Sequence, residues 1–201
     1  TYTCAYYPSP DATLEEAQEN KYRLIFDKLR LQEGDRHLDV GCGWGGMVRY
    51  AARRGVKSIG VTLSQEQAEW GQAKIKEEGL EDLAEIRFMD YRDVTEEGFD
   101  AISAIGLLEH IGVKNYPVFF RFLNGKLKPG GLMLNHCITY PDNHKTPKGG
   151  FIDRYIFPDG ELTGSGNVTK AMQDNGFEVF HTESLRFDYM RTLHEWCENL
   201  K

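Results

Sequence analysis

The chain has 201 residues and a formal net charge of −7. That length suits one domain with a sizeable core, the acidic balance argues against a nucleic-acid binder with its basic face, and no apolar run approaches the roughly 20 residues that cross a bilayer. Cys4, Cys42, Cys137 and Cys197 are too scattered for a zinc site or a disulfide framework, so no metal is expected.

Residues 1–12, Thr-Tyr-Thr-Cys-Ala-Tyr-Tyr-Pro-Ser-Pro-Asp-Ala, are aromatic-rich, broken by two prolines, and read as an irregular arm. Thr13 caps a helix running to about Arg30, and Glu16 completes a capping box. Tyr22, Ile25, Phe26 and Leu29 share one face of it, which packs on the sheet. Gly34 ends that unit. Arg36 to Val40 reads as a strand and Met47 to Arg54 as a helix start. Between them lies Gly41-Cys42-Gly43-Trp44-Gly45-Gly46. Glycine lets the main chain turn sharply and lets a ligand approach it closely. A strand end, a glycine turn and a helix N-terminus together make a cofactor shelf. No Gly-Lys-Ser/Thr ending follows, which removes the phosphate-loop reading. Gly41, Gly43 and Gly46 match the dinucleotide pattern G-x-G-x-x-G. Asp39, ahead of Gly41, gives instead D-x-G-x-G-x-G, which resembles motif I of S-adenosylmethionine-dependent methyltransferases. A nicotinamide enzyme and a turn without a ligand are the alternatives.

Lys57 to Val61 is a second strand, Gln65 to Glu78 a helix and Ala84 to Met89 a third strand. Phe99 to Ile105 is a fourth, apolar as a strand buried on both faces should be. Tyr116 to Leu127 is a helix with Tyr116, Phe119, Phe120, Leu123 and Leu127 on one side. Lys128-Pro129-Gly130-Gly131 then turns the chain into a fifth strand, Leu132 to Ile138. This alternation predicts a doubly wound, mostly parallel α/β sheet with helices on both faces. Residues 139–154 read as a long polar loop of the kind that is often functional. Asn167 to Asn175 is a helix stopped by Gly176, Phe177 to Thr182 a sixth strand, and Tyr189 to Leu200 a last helix. A seven-stranded methyltransferase sheet needs one further strand. None is found, and with Thr1 in place of a methionine the sequence is expected to be trimmed at both ends of a single methyltransferase domain, 1–201.

Several residues are placed for chemistry. An acidic residue is expected about 20 positions beyond the glycines, at the second strand's tip, for a ribose. Thr62 stands there instead, which disfavours the nicotinamide reading; Thr62 and Gln67 can serve the same hydroxyls, while Ser64 caps the next helix. Asp90 and Tyr91 follow the third strand and suit an adenine amino group and ring, or Asp90 is simply a turn residue. Ligands sit beyond the carboxyl ends of such strands. Glu109 and His110, after the fourth strand, and His136, near the end of the fifth, reach that edge. Trp44 is left open between core and cofactor wall.

The segments YTCAYY, LDVGCGWGG, GVTLSQEQ, MDYRDV, LLEHIGVKNY, LKPGG, IDRYIFPDGEL and LRFDYMRTLHEW resemble the cyclopropane fatty acid synthase family, over nearly the whole chain. The family includes the mycolic acid cyclopropane synthases and related fatty acid methyltransferases. The resemblance implies a class I, Rossmann-like methyltransferase fold and transfer of methyl from S-adenosylmethionine to the double bond of an unsaturated acyl phospholipid. It implies cofactor contacts at Tyr2, Thr3, Gly41, Gly43, Gly45, Thr62, Leu63 and Gln67, and near Asp90 and Tyr91. It also implies a bicarbonate ion held by Cys4, Glu109, His136, the Ile138 backbone and Tyr189. Leu108 and Asn135-His136-Cys137 depart from the family's usual phenylalanine and Leu-His-Thr. The stretch Phe157 to Gly166 resembles a subgroup that leaves a methylene or methyl branch instead of a ring.

A methyltransferase acting on a soluble small molecule and a cofactor-binding module without catalysis are the competing readings. A lipid enzyme needs apolar walls, for which Phe119, Phe120 and Phe151 are candidates, although the spacing of Phe119 and Phe120 favours core. A cytoplasmic protein is expected, with peripheral contact at the inner membrane face compatible with a local patch. Oligomeric state is not legible.

Overall fold

The computed structural model describes residues 3–143 and 160–201. Helix α1 (Leu14–Lys28) begins where Thr13 and Glu16 exchange side-chain-to-backbone hydrogen bonds, the expected capping box. The chain then alternates: β1 (Arg36–Val40), α2 (Gly46–Ala52), β2 (Lys57–Thr62), α3 (Gln65–Glu77), β3 (Ala84–Phe88) and β4 (Phe99–Ile105). A short α4 (Leu108–Ile111), then α5 (Tyr116–Lys126), β5 (Leu127–His136), α6 (Ser165–Asp174) and α7 (Arg186–Glu198) follow.

The five strands form one parallel sheet in the order β3-β2-β1-β4-β5. The chain winds outward from β1 to β3 and returns to the other side of β1 for β4. The carboxyl ends of β1 and β4 therefore diverge at a topological switch, where such sheets open a crevice.

Side chains alternate between the faces of each strand. Leu38, Val40, Val61, Ile102 and Ala104 turn to one face and pack with Tyr116, Phe119, Phe120 and Leu123 of α5 and Val168 of α6. Ala101 turns to the other, under Tyr22 and Ile25 of α1 and Met47 and Tyr50 of α2. A third cluster joins α2 and α3 to β3 through Val48, Ala52, Ala68, Ile75 and Ile86. Phe119 and Phe120 are fully buried, so these two are core. No helix among the described residues is long and apolar enough to cross a membrane.

Two expectations are corrected. The fifth strand begins at Leu127, not Leu132. Lys128 to Gly131 bulge out within it, so that Phe99 pairs with Leu127 while Ala101 pairs with Leu132. Gly130 has φ 78°, which glycine adopts without strain. The sixth strand expected at Phe177 to Thr182 is not formed. Alternating apolar residues make a strand only where a ladder partner exists. This segment is held instead by Phe177, packed against the α5 side of the core, and by Lys28 reaching His181 and Glu183. In the expected long loop, 144–154 lie outside the described residues. Its start is tied by a bridge between Tyr140 and Gly164.

Candidate active site

The glycine turn leaves β1 at the switch. The amides of Gly41 and Cys42 both donate to the Val61 carbonyl, at 2.9 and 3.0 Å, which bends the main chain sharply toward β2. Gly41, Gly43 and Gly45 all have positive φ. Their surroundings differ. A Cβ on Gly41 would lie 2.8 Å from Leu107 Cδ1, on Gly45 2.1 Å from Ile86 Cδ1, and on Gly46 2.1 Å from the Tyr22 hydroxyl. These positions need glycine so that the protein can close on itself. A Cβ on Gly43 would meet nothing within 4 Å. Gly43 thus faces open space, as a ligand shelf requires.

Thr62 ends β2 beside the shelf and donates to Gln67 Oε1 at 2.8 Å. Ser64 accepts from the Gln67 amide and caps α3, as expected. Leu63 is largely exposed. Asp90 accepts the Arg92 amide and pairs with the Arg92 guanidinium, whose hydrogen bonds hold it below the usual carboxylate range. That is the turn reading of Asp90, and an adenine contact would require Arg92 to move. Tyr91 packs edge-on against Phe119 and Phe122. Trp44 is neither core nor enclosed: it is partly exposed and meets Trp70 of α3 edge-on.

The second half of the site lies across the crevice. Glu109 on α4 accepts the Ile138 amide at 2.8 Å through Oε1, while its Oε2 is buried with no partner among the described residues. Burial raises its pKa, which favours the protonated acid; the Ile138 N–H opposes this. The Ile138 amide is therefore engaged by Glu109 itself. His136 ends β5, and its Nδ1 is likewise buried without a partner. Burial, with Lys21 and Lys28 adding to it, pushes His136 down to about 4, so the ring is neutral at neutral pH. Burial raises the pKa of Tyr189 on α7, with Cys4 and Glu109 adding to the rise. Cys4 is buried against the start of α7, with Sγ 3.7 Å from the Leu185 carbonyl, and burial raises its thiol to about 11. His110 is exposed.

The arm brings Cys4 there. The Ala5 amide donates to Thr192 Oγ1 at 3.0 Å and the Tyr7 amide to Asp188 Oδ1 at 2.8 Å, both on α7. Arg191 donates to the Ser9 and Ala12 carbonyls. Thr3 comes close to Gly106, where a Cβ would be 3.0 Å from Thr3 Cγ2. The Gly106 amide donates to the His136 carbonyl at 2.8 Å. The arm therefore lies over the carboxyl edge of β4 and β5.

Sequence reasoning missed four contributors. Lys21 is 2% exposed and donates to Thr3 Oγ1 at 2.7 Å and to Gln18 Oε1 at 2.6 Å. Its signal was present, since it falls within the helical spacing of Gln18, Tyr22 and Ile25, but lysine reads as solvent-facing. Asn135 buries an Oδ1 that has no partner among the described residues. Glu161 accepts the Val113 amide and donates its own amide to the Glu109 carbonyl, bracing α4. Asp39, noted only as part of the motif, is 2% exposed beneath the shelf. Tyr2, Phe151 and Phe157 to Asp159 lie outside the described residues.

The whole chain, residues 1–201, matches the family described as mycolic acid cyclopropane synthetase. It is 67% identical to a probable fatty acid methyltransferase of Mycobacterium tuberculosis, over 100% of this chain and 47% of that protein. It is 38% identical to the cyclopropane-fatty-acyl-phospholipid synthase of Escherichia coli, over 98% of this chain and 50% of that protein. The chain thus spans about half the length of these curated relatives. The solved structure of mycolic acid cyclopropane synthase CmaA1 complexed with SAH and CTAB superposes with a TM-score of 0.88 at 33% identity, covering 100% of this chain and 74% of that one.

Proposed function

The chain belongs to the mycolic acid cyclopropane synthetase family, and from that premise we propose that it transfers a one-carbon unit from S-adenosylmethionine to the double bond of an unsaturated acyl chain carried on a phospholipid, closing a cyclopropane ring. The observation that carries this reading is the pair of buried atoms without a partner among the described residues, Glu109 Oε2 and His136 Nδ1, at the sheet edge that the open face of Gly43 shares. Buried polar atoms without partners are uncommon and point to a missing ligand.

The cofactor, bound on the shelf beside Gly43, Thr62 and Gln67 and under Thr3, supplies an electrophilic methyl group. This chain's own residues then have two tasks. Shutting out water is the first, because a cationic carbon centre reacts with it. The arm does this by sealing Thr3 and Cys4 onto the edge. Cys4 and Cys137 (raised to about 12) remain neutral thiols, poorly nucleophilic beside an electrophile. Taking the proton that ring closure releases is the second. In the absence of bicarbonate, Glu109 in its carboxylate form would accept it, and burial, which raises its pKa, makes that carboxylate the stronger base. A bicarbonate would be held by His136 Nδ1 and the Tyr189 hydroxyl as donors, with Glu109 taking its proton, and would supply a base that is not itself alkylated. The Ile138 amide, bound to Glu109, enters that set only by orienting Glu109. Exposed Phe187, Met190 and Leu193 on α7 give apolar surface within about a turn of Tyr189, which suits an acyl chain delivered from a membrane surface.

A second reading shares every residue and differs in product: a methylene- or methyl-branched chain. It is favoured by the 67% identical relative's description as a fatty acid methyltransferase and by the Phe157 to Gly166 stretch. Incubating the whole protein with methyl-labelled cofactor and monounsaturated phospholipid tests both. Label on the acyl chain is expected, and NMR of the recovered fatty acid distinguishes ring from branch. Label confined to a headgroup or a soluble amine would overturn the proposal.

A further inference from the structure

A row of polar side chains runs through the middle of the sheet on the face covered by α1 and α2. Ser58, His37, Ser103 and Asp39 are 0–2% exposed. His37 Nδ1 lies 2.8 Å from Ser58 Oγ, His37 Nε2 lies 2.9 Å from Ser103 Oγ, and Ser103 Oγ donates to Asp39 Oδ1. The proton positions follow from chemistry. An ionised Asp39 can only accept, so the Ser103 proton points to it. Ser103 oxygen must then accept from His37 Nε2–H. Burial holds His37 neutral, down to about 3, so Nδ1 accepts from the Ser58 hydroxyl. Every hydroxyl and ring dipole in the row thus points its positive end toward Asp39. The charge of buried Lys21 also acts on Asp39, while its Nζ bonds Thr3 of the arm.

We propose that Ser103 and Lys21 are positioning residues of the cofactor shelf, which keep the buried Asp39 ionised beneath the glycine turn so that its field attracts the cationic cofactor. The row is otherwise unexplained, since a hydrophobic sheet interior has no need of four polar side chains. S-adenosylmethionine carries a sulfonium and an ammonium, and a fixed charge in a dry site acts on such a ligand more strongly than it would in water. Asp39 is close to its own titration: burial raises it to about 6, against which the Ser103 hydrogen bond and Lys21 pull it down. The other groups facing it are uncharged. Cys42 on the loop is held as a thiol, His37 on β1 is neutral, and Cys4, which faces Lys21 from the arm, is a thiol up to about 11. Lys21 is itself lowered to about 7 by burial and also depresses His136.

The inference rests on the shelf being a cofactor site, and its test separates the two. The carboxyl carbon of Asp39, followed by 13C NMR from pH 4 to 9 in the whole protein without cofactor, reads the unit directly. A midpoint near 6 is expected, moved up by about one pH unit in Ser103→Ala and in Lys21→Met, and unmoved in Ser103→Thr, which keeps the hydroxyl. Calorimetry with S-adenosylmethionine then reads the consequence. Ser103→Ala and Lys21→Met should bind about fivefold more weakly at pH 6, about twofold more weakly at pH 7, and as well as wild type at pH 9. A merely structural defect would not recover with pH. Lys21→Met and Ser103→Thr keep the test standing where Ser103→Ala does not fold. An unmoved carboxyl midpoint in Lys21→Met, or a loss of affinity equal at every pH, would overturn the inference. A wild type that binds no cofactor at any pH would instead overturn the function proposed above, leaving the NMR midpoints to decide this one.

Discussion

The two halves of the crevice are built in opposite ways. The glycine shelf is built around one continuous strand, turn and helix, joined by the neighbouring ends of β2 and β3 and by α3, and most of its groups are already satisfied. Gly41, Gly45 and Gly46 admit Leu107, Ile86 and Tyr22, Asp90 holds Arg92, and Thr62 holds Gln67. The other half is collected from residues 4, 109, 136, 138 and 189, and it leaves Glu109 Oε2 and His136 Nδ1 buried and unpartnered. A surface that holds a ligand by shape can be complete without it. A pocket meant to handle a proton must keep atoms in reserve, at a cost of about 1–3 kcal/mol for each unsatisfied group.

The largest expected effect tests whether the halves work separately. Glu109→Gln and His136→Ala should each lower the methyl-transfer rate about 10²–10⁴-fold, the range for acid–base groups, with calorimetric cofactor affinity unchanged. An affinity that fell in step with the rate would merge the halves into one.

Next come the glycines, which sharpen the contrast within the shelf. Gly43→Val should fold, with a backbone strain of about 1–2 kcal/mol at its positive φ, yet bind cofactor more than tenfold more weakly because the side chain enters the ligand's space. Gly45→Ala should do the reverse. Its Cβ drives into Ile86, overpacking costs about 1–3 kcal/mol, and affinity in the folded fraction stays. Urea melts alongside titrations would expose a wrong assignment, which equal affinities for Gly43→Val and wild type would demonstrate.

The smallest effect concerns the dryness the halves share. His37, near 3, and His136, near 4, are neutral when folded, whereas an unfolded histidine protonates near 6.5. Between pH 6.5 and 4 the unfolded chain binds more protons at both, so stability falls as pH falls. Asp39 has the opposite sign: raised to about 6 from 3.8, it is protonated first in the folded chain and offsets one histidine below pH 6. Glu109, also raised by burial, adds to that offset as pH falls toward its own range, so at most about one proton remains, or up to roughly 1.4 kcal/mol per pH unit. Denaturation midpoints at pH 7, 6 and 5 should show that slope, and His136→Gln should nearly abolish it. A flat wild-type profile would mean that one half is wet.

Legibility in the sequence followed the same divide. The boundaries of β1 and β4 were read to the residue: β4 is a nearly continuous apolar run, as a strand buried on both faces should be, and β1 ends where the glycine turn begins. The capping box at Thr13 and the glycine turn announced themselves by local chemistry. What failed was whatever depends on a distant partner. The run from Phe177 to Thr182 has the alternation of a strand but no ladder to join, and the start of β5 is hidden by Pro129 and two glycines that bulge instead of ending the strand. Lys21 was passed over because only the docked arm makes its buried position tolerable. Glu109 and His136 could be assigned to the correct edge from topology, yet their relation to Cys4 and Tyr189 came only from family resemblance.

The stitching of the arm to α7 has a consequence for synthesis. Ala5 must wait for Thr192, Tyr7 for Asp188, and Ser9 and Ala12 for Arg191. A nascent chain emerging from the ribosome can pair β1, β2, β3 and β4 before α7 exists, but residues 5–12 have no berth until α7 follows, about 180 residues later. Contacts so far apart in sequence close slowly. In the interval the edge of β4 stands open, so a chaperone that shields it would raise the yield of whole protein more than one acting on the finished fold.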